Sequence, residues 1–99
     1  MGEKEILLAA SVLKNEKRTF ILKKIFESKE MTWSQIVGKV EMEFDIRVNP
    51  NTISFHLRSL INMGLISKSG NLYTIRDHSK VQEIDLLQQN LEHFSSILI

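Results

Sequence analysis

Asn51, Thr52, Ser54, Phe55 and Arg58 are the side chains here best suited to specific chemistry, and that chemistry is recognition rather than bond making. An Asn carboxamide pairs with N6 and N7 of adenine, and an Arg guanidinium with O6 and N7 of guanine. Ser and Thr hydroxyls reach several base edges, and a phenyl ring can rest on thymine methyl groups. These five positions, with Asn62, fall off the stripe Ile53, Leu57 and Leu60, whose i, i+4, i+7 spacing buries one face of a helix. The alternative for the whole set is a solvated helix face. For Phe55 the alternative is packing against Phe44 or Ile46, and His56 reads better as a packed, hydrogen-bonded histidine than as a base reader.

A polyanion also needs cations and hydroxyls to hold its phosphates. Arg47, Lys68, Arg76 and Lys80, with the hydroxyls of Thr32, Ser34 and Ser69, are the candidates. Net charge is only +1, but its distribution is uneven. Residues 46–80 carry five cations and one acid, whereas residues 81–99 carry three acids and no cation. The middle of the chain therefore suits a nucleic acid and the end does not. Lys17, Arg18, Lys23 and Lys24 alternate with Glu16 and Glu27 and read as a solvated face.

Other chemistries find little support. There is no cysteine, so disulfides, thiolate metal sites and thiol redox sensing are excluded. His56, His78 and His93 are the only histidines, and no pair has i, i+3 or i+4 spacing. A site joining His78 and His93 with Asp77, Asp85 or Glu92 is conceivable across a dimer, but no metal site is expected. No nucleophile-and-base set, P-loop or glycine-rich dinucleotide turn occurs, so no catalytic residue, enzyme activity or cofactor is expected. Without a long apolar span or a secretory pattern, no membrane partner is expected and the location expected is cytoplasmic.

The elements that must position these side chains can be read from local signals. Glu5 to Lys14 forms a first helix that is apolar over most of its circumference, and Asn15 caps a second over Glu16 to Ser28. Met31 fits a strand of one or two residues. Thr32 to Gln35 has capping-box spacing and opens a third helix with Ile36, Val37 and Val40 inward. Residues 41–48 either continue that helix, placing Phe44 along the same face, or loop out. Asn49 and Pro50 then start the helix that carries the candidate residues, and Gly64 stops it, with Leu65 folding back on Leu60. Leu65 to Lys68 and Leu72 to Ile75 flank Ser69-Gly-Asn71 as a hairpin. Asp77 or Ser79 caps a last helix whose Ile84, Leu87, Leu91, Phe94 and Leu98 form a two-heptad apolar seam.

Three segments resemble the ArsR-like winged-helix transcription regulators, including their small archaeal relatives. They are Leu13-Lys-Asn-Glu-Lys-Arg18, Met31-Thr-Trp-Ser-Gln-Ile36, and Asn51-Thr-Ile-Ser-Phe-His-Leu-Arg-Ser-Leu60 followed by Gly64-Leu-Ile66. The resemblance covers roughly residues 8–76. It implies that helices one and five form a dimer, that helix four enters the major groove, and that the hairpin wing meets phosphate or minor groove. The chain differs from the family pattern in a longer segment between helices three and four. Its wing is short, with Lys68 and Arg76 as the only cations, and the paired cysteines of the metal-sensing members are absent.

The expected fold is mainly α with a small β-hairpin, a winged helix-turn-helix in the order α-α-(β)-α-α-β-β-α. Residues 1–99 form a single domain, with dimerisation helices over 1–14 and 77–99, the helix-turn-helix over 32–63 and the wing over 65–76. The dimer interface is expected to use Ile6, Leu7, Ala10, Leu13, Ile84, Leu87, Leu91, Phe94 and Leu98. The expected function is a homodimeric regulator, with a repressor favoured, that reads a pseudo-palindromic double-stranded DNA site through residues 50–63. The alternative is a winged-helix module that binds another protein, which the near-neutral charge, the short wing and Phe55 would suit. A small-molecule effector is not legible.

Overall fold

In the computed structural model the described residues are 3–98, the side chains of 4–6 and 91–98 excepted. The helices are α1 (Glu3–Leu13), α2 (Glu16–Ser28), α3 (Trp33–Phe44), α4 (Pro50–Asn62) and α5 (His78–Leu98), and the strands are β1 (Glu30–Thr32), β2 (Ile66–Ser69) and β3 (Leu72–Ile75). α1 thus starts before Glu5, and β1 is longer than one or two residues. The strands form one antiparallel sheet in the order β1-β3-β2, with Met31 opposite Tyr73 and Lys68 opposite Tyr73 from the other side. The expected hairpin is therefore two thirds of a three-stranded sheet, and this is a winged helix-turn-helix.

Local chemistry sets the ends of the elements. Asn15 Oδ1 accepts the Arg18 N–H at 3.0 Å to open α2. Thr32 and Gln35 complete a reciprocal capping box at the start of α3, at 3.2 and 2.9 Å. Asn49 Oδ1 accepts the Asn51 N–H at 2.8 Å, and Pro50 follows in the first turn of α4, where no N–H is needed. Asp77 Oδ1 accepts the Lys80 N–H at 3.1 Å, so Asp77 rather than Ser79 caps α5.

Gly64 ends α4 at φ 76°. The Leu65 N–H reaches the Leu60 carbonyl at 3.1 Å and the Gly64 N–H that of Ile61 at 2.9 Å, the paired bonds of a Schellman motif. In the wing Gly70 alone takes a positive φ, 61°, leaving two residues, Gly70 and Asn71, to turn between Ser69 and Leu72.

Both alternatives for residues 41–48 hold in part. α3 continues to Phe44, whose ring meets Phe20 edge-on at 5.5 Å. Asp45 then adopts the left-handed conformation, at φ 51°, and ends the helix. The loop that follows is tied back by the Val48 N–H, which donates to Glu41 Oε2 at 3.1 Å.

The core is one cluster that draws on every element. Ala9, Val12, Ile21, Ile25, Ile36, Val40, Ile53, Leu57, Leu60, Leu65 and Ile66 are all fully buried. The Thr19 hydroxyl, buried between α1 and α2, donates to the Val12 and Asn15 carbonyls, at 2.8 and 2.9 Å. Val81 and Ile84 bring the first turns of α5 into the same cluster. That placement corrects Ile84, which was expected at a dimer interface: it is only 5% exposed and packs into its own protomer. Leu13 and Leu87 are also half-buried against this core. A 3,4-spaced stripe marks an apolar face but does not say what covers it. Leu7 is 64% exposed and Ala10 is exposed, so α1 keeps an apolar outer side. The side chains of Ile6, Leu91, Phe94 and Leu98 lie outside the described residues.

Candidate nucleic-acid interface

α4 divides its residues cleanly between two faces. Ile53, His56, Leu57 and Leu60 are buried, while Asn51, Thr52, Phe55, Arg58 and Asn62 are exposed. Ser54 is half-buried. Four of the five side chains read from the sequence as base-edge groups therefore share one open face, and Ser54 sits at its margin. In a helix-turn-helix the second helix of the pair lies in the major groove with its N-terminal turns at the bases. Asn51, Thr52 and Ser54 occupy those turns.

The candidate phosphate groups are more scattered. Ser34 is exposed in the first turn of α3, and Arg47 is exposed in the loop before α4. The Thr32 hydroxyl oxygen accepts the capping bond from Gln35, so only its proton remains free to donate. Lys68 and Ser69 lie near the tip of the wing. Arg76 lies at its base, where its N–H donates to the Leu65 carbonyl at 2.8 Å. Three residues of strand, about 10 Å, separate these two cationic positions. Lys68 is also steadied, its Nζ 5.8 Å from the centre of the Tyr73 ring. Lys80 is half-buried beside the Asp77 cap.

Phe55 lies on the open face of α4. It is 56% exposed, and its ring meets His56 edge-on at 5.9 Å. The Arg18 guanidinium lies over the ring at 5.6 Å, while Phe44, the expected packing partner, has turned to Phe20. Arg18 itself corrects the reading of α2 as a solvated basic face. It is 8% exposed, and its Nε–H donates to His56 Nδ1 at 3.3 Å. Lys24 does fit that reading, pairing with Glu27 at 3.3 Å. The sequence signal for Arg18 was slight, a cation in the first turn of a helix, where the dipole disfavours it.

His56 is buried as expected, and accepting from Arg18 fixes it as the neutral tautomer with its proton on Nε2. Its pKa is lowered from the usual 6.5, first by burial and then by the positive charges of Arg18 and Lys17. The folded chain thus binds fewer protons here than the unfolded chain. Stability from this site is complete above about pH 6.5 and is lost as pH falls through the depressed folded value. Thermal melting followed downward from neutral pH is expected to show that loss in the wild type, and His56→Gln is expected to flatten this part of the profile. An unchanged profile in the variant would refute the assignment.

No helix among the described residues is long and apolar enough to cross a membrane. Among them no three His, Asp or Glu side chains gather as around a metal ion, and the His93 side chain lies outside that description.

Comparison with known proteins agrees with this geometry. No curated protein sequence matches the chain. The solution NMR structure of the homodimeric winged helix-turn-helix DNA-binding domain (fragment 1–100) of Mb0332 from Mycobacterium bovis, a possible ArsR-family transcriptional regulator, is similar with a TM-score of 0.69. The similarity covers 90% of this chain and 80% of that one at 20% identity, and establishes likeness of fold. The model of the bacterial regulatory protein family arsR matches residues 15–68, from the cap of α2 to the third residue of β2. With more than half of its length matched, this chain belongs to the ArsR family of bacterial regulatory proteins.

Proposed function

We propose that the chain is a transcription regulator that binds double-stranded DNA as a homodimer and reads a pseudo-palindromic site with paired copies of α4. The observation that carries this reading is the open face of α4, where Asn51, Thr52, Phe55 and Arg58 stand together above a fully buried stripe. Asn51, Thr52, Ser54, Phe55 and Arg58 contact base edges. Thr32, Ser34, Arg47, Lys68, Ser69, Arg76 and Lys80 are the backbone contacts. Residues 1–99 act as one domain, and half-sites lie about one helical turn apart. Occupying such a site blocks polymerase most simply, which makes the regulator a repressor working in the cytoplasm.

The exposed apolar side chains Leu7 and Leu86 support dimerisation through α1 and α5, as does the homodimeric state of the Mycobacterium bovis domain. In the sequence the 3,4 spacing of Ile84 and Leu87 extends to Leu91, Phe94 and Leu98.

The test is fluorescence anisotropy of a labelled random-sequence duplex at several salt concentrations. A dimer that neutralises roughly six phosphates gives a slope of log K against log salt of about −5. Absence of binding at low salt, from protein confirmed folded and dimeric, would overturn the regulator reading and direct the search to protein partners of the same face.

A further inference from the structure

We propose that Arg18, carried by α2, is a DNA phosphate contact held at the edge of α4 by His56 and Phe55. The inference rests on the regulator reading and adds to its interface a residue from outside the helix-turn-helix and the wing.

Arg18 is more than nine-tenths buried, yet the one ion pair among the described residues joins Lys24 to Glu27. A buried guanidinium kept for structure alone is ordinarily matched by a carboxylate, because desolvating a cation without an anion is unfavourable. Here the protein supplies a neutral imidazole, which accepts one of the five guanidinium N–H groups. Among the described residues no hydrogen bond takes Nη1 or Nη2, and neither is sealed from solvent as a buried orphan. Each of these two nitrogens therefore keeps some contact with solvent. A helix N-terminus is also the wrong end for a cation unless an anion joins it.

The direction of that exposure is set by Phe55. Its ring is on the open face of α4, and the guanidinium lies over it at 5.6 Å. With Nε bonded to His56 and the guanidinium over the Phe55 ring, both on α4, the fork is held between α2 and α4. A planar fork held in this way suits the paired oxygens of a phosphate and needs little further ordering when one arrives. Lys17, in the same turn, is occupied elsewhere, with its Nζ 5.2 Å from the centre of the Phe44 ring. Arg18 therefore has a fixed place and, among the described residues, donors without acceptors and no anion, beside the surface expected to meet a polyanion.

The experiment compares wild type with Arg18→Gln on a random-sequence duplex over a range of salt. Losing one phosphate contact per protomer is expected to make the slope shallower by about 1.8 for the dimer. Between about 50 and 200 mM salt, the ratio of wild-type to variant affinity then changes about tenfold. A purely structural Arg18 would lower the melting temperature but leave the slope unchanged. If the wild type binds steeply and the variant has the same slope, the Arg18 proposal is overturned and the regulator reading stands. If the wild type does not bind duplex DNA, both fall.

Arg18→Gln could also fail to fold, so the wild type supplies a second readout. The Arg18 guanidinium NMR signals, followed while duplex is added, are expected to shift and the Nη rotation to slow as binding saturates. Signals that stay unchanged at saturation would overturn the proposal.

Discussion

Replacing Asn51 and Arg58 together by alanine is expected to erase the difference between a selected operator and random duplex DNA, while binding that is steep in salt persists. Each good bidentate contact to a base is worth about 1–3 kcal/mol of discrimination. Two such residues per protomer make four in a dimer, or about 4–12 kcal/mol in total. Specific sites typically exceed nonspecific ones by about 4–10 kcal/mol, so these four contacts can account for nearly the whole margin. Both side chains are exposed, so the melting temperature should barely move. The measurement is the ratio of the two dissociation constants at one salt concentration. A ratio close to one in the double variant is expected, and a ratio equal to that of the wild type would remove α4 as the reading element. If Arg58 alone instead flattens the salt slope and leaves the ratio intact, it holds phosphate and Asn51 carries the reading.

What was legible in the sequence was short-range. The Thr32–Gln35 box, the Asn49–Pro50 start of α4 and the Gly64–Leu65 stop each involve partners within six residues, so side-chain type and spacing fix the geometry. The outer face of α4 was legible for the same reason: burying Ile53, Leu57 and Leu60 determines where Asn51 and Arg58 must point. What was hidden depends on partners far along the chain. Arg18 reads as a surface cation because its acceptor, His56, is 38 residues away. For Phe55 the sequence offers Phe44 and Ile46, beside the connector, as packing partners, whereas the ring meets a guanidinium from α2. Ile84 fits a seam by period, and only the packing of α5 on the rest of the chain shows that the first turns of that seam are already covered.

Leu57→Ala should have the opposite signature on the same helix. Leu57 is 1% exposed and sits on the face of α4 turned away from Asn51 and Arg58. Truncating a leucine in such a site costs about 2–5 kcal/mol, from lost transfer energy and from the cavity left behind. A domain of this size typically has about 5–15 kcal/mol in all, so the change removes a large share of it. At about 4–8 °C per kcal/mol, the melting temperature is expected to fall by at least about 8 °C at fixed protein concentration. None of the candidate DNA-contacting side chains is altered. Well below its melting point the variant should therefore keep most of its preference for the operator, with any loss arising from a small shift of α4. The pair of variants separates the two faces of one helix, since the double alanine variant loses discrimination at constant stability and Leu57→Ala loses stability at nearly constant discrimination. If Leu57→Ala melts like the wild type, Leu57 is not in the core and the outward direction assigned to Asn51 and Arg58 fails with it.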